Sequence, residues 1–359
     1  MDLSLVIPTH NRAGVLAETL EKLARLDDHT VGDRCELIIV DNGSDHPPEP
    51  PKSLGNGIEI RVILLPENRS AAARNIGAHE ARGDWIVMLD DDSSLERSPA
   101  VATLRAMPAD VHVVGGEIFL PDGKHESGGL PEVVIGCGCA YRTHVFNALG
   151  GYDPSFDFYA EEYDLCARIL LGGGRVVHSA GLRFEHRKSA QNRSFERIIH
   201  RLVRNNGWVI RRYTPTGMYQ TAMDQMIERY RWIAEKEHVL PGFDAGLEEL
   251  TRTIEGQPSR AMDPSVYERF IGRAACEGQL RRVLGGSTDP VRIVCPGKGE
   301  DVVRGVLAGL GVRVLGGDKP VARAVIGTLS PGPMHDAQLM HSEAILPFIG
   351  FHGPVLKFS

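Results

Sequence analysis

The sequence predicts an α/β fold built on a mostly parallel sheet, and three observations support this class. Residues 3–7, 37–40 and 85–89 are short apolar runs without polar alternation, a pattern typical of strands that helices cover on both faces. The segment between the first two runs carries apolar residues at helical spacing, which predicts a right-handed strand–helix–strand unit. Polar or acidic residues follow each run. In an open parallel sheet, such strand ends form the edge where ligands bind.

The remaining elements up to residue 184 alternate between strand and helix patterns, which supports the same fold class. Further strands are predicted at residues 59–65, 111–115, 175–178 and 182–184. Further helices are predicted at residues 68–78, 99–106 and 161–171. The helix at 68–78 starts with alanines, so its free backbone N–H groups can approach a phosphate. Residues 116–160 are glycine-rich and irregular.

Composition excludes several classes of protein. The chain has 359 residues and a net charge of −7, which argues against general affinity for nucleic acid. No stretch approaches the roughly 20 apolar residues of a membrane span, and the first residues are typical of a strand rather than a signal peptide. The six cysteines show no Cys-x-x-Cys spacing. We therefore expect a reduced, cytoplasmic protein.

Three consecutive carboxylates, Asp90, Asp91 and Asp92, follow the apolar run at residues 85–89. Adjacent negative charges repel one another, and the next cationic residue along the chain is Arg97. A divalent cation such as Mg²⁺ or Mn²⁺ would neutralise them, because both ions prefer oxygen ligands and bind phosphates. In an extended chain Asp90 and Asp92 share a face and Asp91 points away. The alternative interpretation is a solvent-exposed acidic turn.

Two other strand ends belong to the same predicted edge. Thr9 and Asn11 follow the first strand, and Asp41 and Asn42 follow the second. Because the carboxyl ends of parallel strands meet at one edge, these side chains should lie beside the three acids. Together they predict a nucleotide-binding crevice, although the chain lacks a glycine-rich dinucleotide fingerprint there.

A second acidic cluster opens the predicted helix at residues 161–171. Glu161, Glu162 and Asp164 are three acids within four residues. Acids in a first helical turn stabilise the helix dipole, which is their structural explanation. Three of them exceed what a cap requires, so we treat them as candidates for proton transfer.

Six stretches and one histidine, in this order, resemble those of the family 2 glycosyltransferases. The resemblance covers roughly the first 210 residues. The matching stretches are residues 6–12 (VIPTHNR), 37–44 (LIIVDNGS), 73–77 (ARNIG), 89–92 (LDDD), 150–153 (GGYD) and 161–165 (EEYDL), followed by His186. The resemblance implies the GT-A nucleotide-diphospho-sugar transferase fold, which is Rossmann-like. It also implies transfer of a sugar from a nucleotide-activated donor to a hydroxyl acceptor, usually with inversion and with Mn²⁺ or Mg²⁺ as cofactor.

The resemblance also implies roles for particular residues. At the matching positions, Asp41 contacts the nucleobase with support from Arg74, and Asp90 contacts the ribose. Asp92 coordinates the metal ion, and His186 resembles a further ligand of the metal or the diphosphate. The full set expected to bind the donor is Pro8, Thr9, Asn11, Arg12, Asp41, Asn42, Asn68, Arg74, Asp90 and Asp91.

The catalytic base is expected at the start of the helix at residues 161–171. The family's usual helix start pairs Glu with Asp, where this chain has Glu161 and Glu162. We assign the second position, Glu162, as the base, and Glu161 and Asp164 remain alternatives. A longer side chain there shifts the carboxylate by about one carbon–carbon bond relative to the acceptor.

The resemblance leaves the substrates open. UDP is the commonest donor nucleotide of the family, GDP and dTDP are alternatives, and the acceptor is expected to be a saccharide or a lipid-linked molecule. A sugar-nucleotide nucleotidyltransferase would need a glycine-rich N-terminal loop with lysine, and residues 8–12 contain neither glycine nor lysine. A non-catalytic nucleotide-sugar binding protein is the other alternative, and the intact acids argue against it.

Three domains are expected: a catalytic domain at 1–215, a helical extension and linker at 216–288, and a small Rossmann-like α/β module at 289–359. The glycine-rich residues 285–288 predict the last boundary, and we expect residues 1–284 to fold alone. The module's Gly297-x-Gly299 lacks a third glycine, although Asp318 lies where a ribose-binding acid could sit. A packing, regulatory or dimerisation role is therefore preferred to a dinucleotide site, and a homo-oligomer is an open expectation.

Arginines recur on one face of the predicted helix at residues 193–212, namely Arg193, Arg197, Arg201 and Arg204. One interpretation is a solvated face with Glu196 as partner. The other is contact with an anionic acceptor, such as a lipid-linked diphosphate. The second interpretation would place this cytoplasmic protein peripherally at the inner face of the membrane.

Overall fold

The computed structural model describes residues 2–32, 34–189, 194–316 and 323–353. Its main feature is an eight-stranded sheet with the order β3-β2-β1-β4-β7-β6-β8-β5. The strands are β1 (Leu3–Thr9), β2 (Cys35–Asp41), β3 (Glu59–Leu64), β4 (Trp85–Met88), β5 (Ser93–Leu95), β6 (Val111–Phe119), β7 (Cys139–Arg142) and β8 (Arg175–His186). The first four strands are mutually parallel and β6 is parallel to β8, whereas β7 and β5 are antiparallel to their neighbours. The predicted α/β class is confirmed.

Helices cover both faces of this sheet. They include α1 (Ala13–Leu23), α2 (Asp28–Val31), α3 (Ala73–His79), α4 (Ala100–Arg105), α5 (Thr143–Ala148) and α6 (Glu161–Leu171). Successive residues of β1 enter opposite apolar layers, with Val6 in one and Leu5 and Ile7 in the other. Because each strand face is buried, the strand sequences read as unbroken apolar runs rather than as alternating patterns.

Several elements differ from the prediction. The two strands predicted at 175–178 and 182–184 form one strand, β8, whose pairing with β6 shifts register between Gly116 and Glu117. β7 lies inside the segment predicted to be irregular, and β5 follows the acids directly; four and three residues are too few for a periodic pattern. The helix predicted from residue 68 begins later, as a 3₁₀ turn at Ser70–Ala72 followed by α3.

A helical segment and a small α/β module follow the sheet, in the predicted order. The helices are α7 (Phe195–Tyr213), α8 (Tyr219–Lys236), α9 (Leu240–Thr253), α10 (Pro264–Phe270) and α11 (Arg273–Leu284). The module contains β9 (Val291–Val294), α12 (Glu300–Gly309), β10 (Arg323–Ile326) and α13 (Pro331–Met340). β9 and β10 are parallel, and Val314 adds a single parallel bridge to Val291. Arg193 and Asp318 lie outside the described residues.

The C-terminal module packs against the large sheet. Its Asp336 lies 2.6 Å from His125, and its Lys298 donates a hydrogen bond to Tyr163. One apolar cluster extends from Val6 in β1 to Phe348 near the C-terminus. The predicted domain boundaries stay a prediction.

Candidate active site

Asp41, at the end of β2, carries an unpaired carboxylate oxygen at the carboxyl edge of the sheet. The residue is 1% exposed, and its Oδ2 accepts a hydrogen bond from the backbone N–H of Ser44 at 3.2 Å. Its Oδ1 is buried and has no hydrogen-bond partner among the described residues. A buried oxygen without a donor is costly, so Asp41 presents an acceptor that an N–H group of a ligand could satisfy.

The side chains of Asn42 and Asn68 form hydrogen bonds within the loop beside Asp41. Asn42 donates to the carbonyl of Ser70 at 3.1 Å, and its Oδ1 accepts from the backbone N–H of Arg69 at 2.7 Å. Asn68 accepts from the backbone N–H of Ser70 at 2.8 Å. These contacts bring the loop that precedes α3 against the end of β2.

The end of β1 contributes three of the predicted residues in different ways. Pro8 and Thr9 are its last two residues, and Thr9 Oγ1 donates to Asp91 Oδ2 at 2.9 Å. Asn11 has a φ of 55° and exchanges two hydrogen bonds with Asp45, at 3.1 and 2.9 Å. Thr9 therefore joins the acids, whereas Asn11 fixes a neighbouring loop.

Arg12 neutralises two of the three consecutive acids. Its Nη1 lies 2.8 Å from Asp91 Oδ1, and its Nη2 lies 2.9 Å from Asp92 Oδ2. The expectation that these carboxylates lack a protein cation is wrong, because the cation comes from the loop after β1 and not from the following sequence. The extended geometry is also wrong, since the chain turns at Asp91 and Asp92 and both carboxylates meet Arg12.

Asp90 pairs with Arg74 of α3, so two residues with related predicted roles meet. Arg74 is 6% exposed, and its Nε is buried without a hydrogen-bond partner among the described residues. Burial disfavours the guanidinium charge, but the neighbouring Asp90 outweighs burial and raises the pKa of Arg74. The arginine is therefore a permanent positive charge beside the acids.

His186 ends β8 and faces the acids. Its Nδ1 lies 3.0 Å from Glu126 Oε2, and its Nε2 lies 3.4 Å from Asp92 Oδ1. Ligand atoms of Asp90, Cys137 and His186 also lie within 4.8 Å of one another. Histidines that bind metals commonly donate their other ring nitrogen to a carboxylate, and Glu126 is placed to accept. The residues present therefore fit a divalent cation held by His186 and the aspartates.

The electrostatics of this cluster favours positive charge. Burial lowers the pKa of His186, but hydrogen bonding to Asp92 and Glu126 outweighs it and raises the pKa to about 12. Burial raises the pKa of Asp92, but hydrogen bonds from His186 and Arg12 outweigh burial and hold this pKa below its ordinary value. Asp91 is different, because burial raises its pKa to about 6 in spite of Arg12. Without an ion, a protonated imidazole supplies the positive charge that a metal cation would supply.

Glu161 and Glu162 open α6 and differ in their surroundings. Glu162 is partly exposed, and its Oε1 accepts from the backbone N–H of Gly136 at 2.8 Å. Glu161 is 4% exposed, and its Oε2 has no hydrogen-bond partner in the described part of the chain. Burial raises the pKa of both carboxyls. Glu162 is thus the one that is held in place and accessible.

Asp164, the third acid of the helix start, is occupied by internal partners. Arg168 Nε donates to its Oδ2 at 2.8 Å, and both Arg212 Nη1 and the Tyr213 hydroxyl donate to its Oδ1, at 2.8 and 2.6 Å. The residue is 1% exposed. Arg212 also donates to Asp153 at 2.7 Å. These contacts fasten α7 to α6, and they leave Asp164 the least accessible of the three acids.

The loop before α6 has an unusual backbone that α7 stabilises. Three of its residues have φ values of 65°, 73° and 66°, namely Asp157, Tyr159 and Ala160. Non-glycine residues rarely adopt this conformation, and it persists only where the surroundings enforce it. Asn205 of α7 is 0% exposed. Its side-chain amide donates to three loop carbonyls at 2.8, 2.8 and 2.6 Å, those of Phe156, Phe158 and Tyr159.

Sequence reasoning missed Glu126, Cys137, Asn205 and Lys298. Glu126 and Cys137 lie in the segment predicted to be irregular, where no pattern indicated which residues reach the sheet edge. Lys298 lies between the two glycines of the C-terminal module, and its Nζ lies 4.4 Å from the centre of the ring of Tyr163, the residue after Glu162. Burial lowers the pKa of Lys298 to about 7. Its approach from the distant module has no signal in the local sequence.

Two arginines on the basic face of α7 form ion pairs within the protein. Arg201 pairs with Asp157, and Arg204 lies 3.0 Å from Glu249, whereas Arg197 is exposed. Over the described ranges, no helix combines the length and the apolar character that crossing a bilayer requires. Peripheral contact with a membrane stays a prediction.

Comparison with known sequences finds a matching family and several relatives. Residues 4–146 match the family described as Glycosyl transferase family 2. The chain is 34% identical over 196 residues to an uncharacterized glycosyltransferase of Haemophilus influenzae, covering 47% of this chain and 62% of that one. It is 27% identical over 201 residues to the pre-mycofactocin glycosyltransferase of Mycobacterium tuberculosis, covering 49% of this chain and only 40% of that protein. It is 26% identical over 263 residues to the succinoglycan biosynthesis protein ExoO of Rhizobium meliloti, covering 64% and 74%.

Among solved structures, that of S. aureus TarS 1-349 is similar over 87% of this chain and 90% of that chain, with a TM-score of 0.49 and 15% identity. A mannosyltransferase of Pyrobaculum calidifontis, solved with GDP-Man and Mn²⁺, has a TM-score of 0.44 and 15% identity over 86% of this chain and 85% of that one. The region matched by the family includes Asp41, Asp90 and Asp92, whereas Glu162 and His186 lie beyond it.

Proposed function

We propose that this chain, whose residues 4–146 match glycosyltransferase family 2, transfers a sugar from a nucleoside-diphosphate sugar to a hydroxyl acceptor, with inversion and with the help of a divalent cation. The observation that carries the proposal is the approach of Asp92 and His186 to 3.4 Å. It occurs at the same sheet edge as the unpaired oxygen of Asp41. Binding of a nucleoside diphosphate requires ligands for its metal ion and a hydrogen-bond acceptor for its nucleobase.

The nucleobase is assigned to Asp41. Within the described ranges its buried Oδ1 has no donor, and the N–H groups of uracil or guanine would supply one. A carboxylate accepting from a buried N–H forms a charge-assisted hydrogen bond, which is stronger than a neutral one. UDP is the first choice of donor nucleotide, with GDP and dTDP as alternatives. Asp90, already paired with Arg74, is assigned to the ribose.

The diphosphate and its cation are assigned to the acids and His186. Asp92 and His186 would hold Mn²⁺ or Mg²⁺, with Asp90 within reach. When bound, such an ion neutralises the negative charge that develops on the leaving diphosphate. Glu126 orients the His186 ring by accepting from Nδ1, and Arg12 keeps Asp92 ionised.

Glu162 is assigned as the catalytic base. The acceptor oxygen attacks the anomeric carbon from the face opposite the diphosphate, and the bond from that carbon to the diphosphate oxygen breaks. The hydroxyl proton passes to Glu162, which must be ionised beforehand. The backbone N–H of Gly136 occupies Oε1, so we assign Oε2 as the oxygen that takes the proton. A raised pKa makes this carboxylate a stronger base than an exposed one.

Asp164 is assigned a positioning role. Its three internal donors, Arg168, Arg212 and Tyr213, hold α6 against α7. A carboxylate with both oxygens engaged would have to break these bonds before it accepted a proton. The same helix start can therefore contain one reactive acid and one structural acid.

The experiment is a thermal-shift panel with UDP, GDP, dTDP and CDP, each with and without Mn²⁺. We expect UDP with Mn²⁺ to stabilise the protein most. A ligand at a hundred times its Kd adds about 2.7 kcal/mol to the free energy of unfolding, which is enough to rank the nucleotides. Asp41→Asn should lose most of this shift, whereas Asp45→Asn, on the exposed loop nearby, should keep it. Wild-type protein that responds to none of the nucleotides would contradict the donor assignment.

Product analysis then separates transfer from the two alternative activities. A glycosyltransferase releases free nucleoside diphosphate as acceptor is consumed. A nucleotidyltransferase would instead release pyrophosphate from a nucleoside triphosphate, and a binding protein would release neither product. Pyrophosphate as the product would overturn the proposal.

A further inference from the structure

A second cluster of metal-binding side chains lies apart from the acidic sheet edge. Glu117 of β6, His125 of the segment that returns alongside β6, and His335 of α13 offer ligand atoms within 4.8 Å of one another. Glu117 and His125 are 7% and 6% exposed, and His335 is partly buried. The donor site uses none of these residues.

His125 has the hydrogen bonding of a metal-binding imidazole. Its Nδ1 lies 2.6 Å from Asp336 Oδ1, and its backbone N–H donates to Asp336 Oδ2 at 2.9 Å. This carboxylate favours the proton on Nδ1, so we assign the lone pair to Nε2. Nε2 is buried and, within the described part of the chain, has no hydrogen-bond partner. Glu117 Oε1 lies 3.9 Å from it.

His335 adds a second unsatisfied ring nitrogen. Its Nδ1 is buried without a hydrogen-bond partner among the described residues, and its ring packs edge-on to His125 at 4.8 Å between centroids. Phe119 and Phe351 lie 4.5 and 6.0 Å from the His125 ring. These aromatic rings limit access of water. Burying these two neighbouring ring nitrogens without hydrogen-bond partners is unfavourable, and one shared ion would satisfy both.

We propose that Glu117, His125 and His335 bind one divalent transition-metal ion, and that Zn²⁺ is the ion their chemistry favours. Two imidazoles and one carboxylate form a recurrent zinc ligand set, with a fourth position for water. Ligands about 2.0–2.2 Å from a tetrahedral ion lie about 3.3–3.6 Å from one another. The 3.9 Å between His125 Nε2 and Glu117 Oε1 is close to that separation. Imidazole favours Zn²⁺ over Mg²⁺, and this cluster offers two imidazoles, whereas the donor edge offers one, His186, beside Asp90 and Cys137.

Arg183 is the positive charge that competes for Glu117. Its Nη1 lies 4.0 Å from Glu117 Oε2, and its guanidinium stacks on the Phe119 ring at 4.5 Å. The side chain is 43% exposed, so it can turn toward solvent at low cost. Glu117 presents its other oxygen, Oε1, to His125, and the two contacts are compatible.

The ion would join the C-terminal module to the sheet beside the donor site. His335 belongs to α13, whereas Glu117 belongs to β6 and His125 to the extended segment that pairs with its end. Glu126 follows His125 directly and contacts His186 at 3.0 Å. Neighbouring residues of an extended segment point to opposite sides, so the ion would hold one side of the segment while Glu126 orients His186 on the other. This consequence rests on the proposed function, but the metal site itself does not.

The test is the metal content and metal response of the untagged, full-length chain. We expect about one zinc per wild-type chain by elemental analysis, and a rise in Tm when Zn²⁺ is restored after chelation. His335→Ala and Glu117→Gln should lose both, with unchanged far-UV circular dichroism. His341→Ala, at the exposed end of the same helix, should keep both.

Asp92→Asn separates this proposal from the donor site, because it should bind zinc at the wild-type stoichiometry even if it no longer responds to nucleotide. Wild-type protein that binds no zinc would overturn the proposal, and His125 would then be a protonated ring between two carboxylates. Retention of zinc by His335→Ala and Glu117→Gln would also overturn it, because the ion would then lie elsewhere on the chain.

Discussion

Glu162 and Glu161 are adjacent carboxylates with different environments, and the chemistry depends on that difference. Glu162→Gln keeps the size and polarity of the side chain but cannot take a proton. We expect kcat to fall by about 10²–10⁴-fold, with little change in donor affinity because the donor contacts lie on the sheet edge. Glu161→Gln is the matched control and should cost much less. Calorimetric titration of nucleotide beside turnover measurements checks both, and wild-type turnover in Glu162→Gln would move the base to another residue.

The raised pKa of Glu162 predicts a pH dependence with a definite sign. Burial disfavours its charged form, and the base works only when ionised, so kcat should fall as pH decreases through this raised pKa. Stability should behave in the opposite way. A carboxyl whose pKa is raised by folding contributes stability below its ordinary value of 4.5, and that contribution is lost as pH rises through the folded pKa. At neutral pH, Glu162→Gln should therefore have a higher Tm than wild type, and a lower one would contradict the assignment.

At the scale of elements, the buried side-chain amide of Asn205 in α7 holds the loop that precedes α6. Asn205→Ala removes three hydrogen bonds to the loop before α6 and should lower the free energy of unfolding by about 1–3 kcal/mol. It should also reduce kcat, because the loop positions Glu162. Asn206→Ala is the control, since Asn206 donates to Leu202 within its own helix. Chemical denaturation beside turnover measures both effects, and equal behaviour of the two variants would refute the positioning role.

The strands that carry the acidic edge could be predicted because they are buried on both faces. β1, β2 and β4 appear in the sequence as unbroken apolar runs, and the polar residues at their ends mark the edge. β5 and β7 have three and four residues, which is too short for any period to be recognised. β8 was divided in the prediction because Gly181 interrupts its apolar pattern, whereas the structure continues the strand through it.

Contacts between distant segments account for most of what the sequence could not predict about the site. Asp41, Asp90 and His186 were recognisable from their places after strands. That Arg12 neutralises Asp91 and Asp92 depends on how the loop after β1 meets the turn after β4. The approach of Lys298 to Tyr163 depends on packing of the C-terminal module. Neither contact has a local sequence pattern, because each is set by tertiary structure.

For the whole molecule, the domain prediction can be tested by truncation after Leu284. Residues 1–284 are expected to fold and to bind donor nucleotide with wild-type affinity, because the acidic edge lies entirely within them. Their Tm should be lower than that of the full chain, since the truncation removes Asp336 from His125 and uncovers apolar residues of the shared cluster. Circular dichroism and nucleotide titration provide the measurements. An insoluble or unfolded truncation would show that the module is part of one folding unit.

The most direct test of the donor site is metal-dependent release of nucleoside diphosphate from the donor sugar in the presence of acceptor. Wild-type protein should be active with Mn²⁺ or Mg²⁺, inactive after EDTA treatment and active again when the ion is restored. Asp92→Asn should be inactive under all three conditions while remaining folded by circular dichroism. The asparagine substitution is preferable to alanine, because Asp92 also binds Arg12 and the backbone N–H of Ser189. Full turnover of the wild type in EDTA, or of Asp92→Asn with Mn²⁺, would contradict the metal-assisted mechanism.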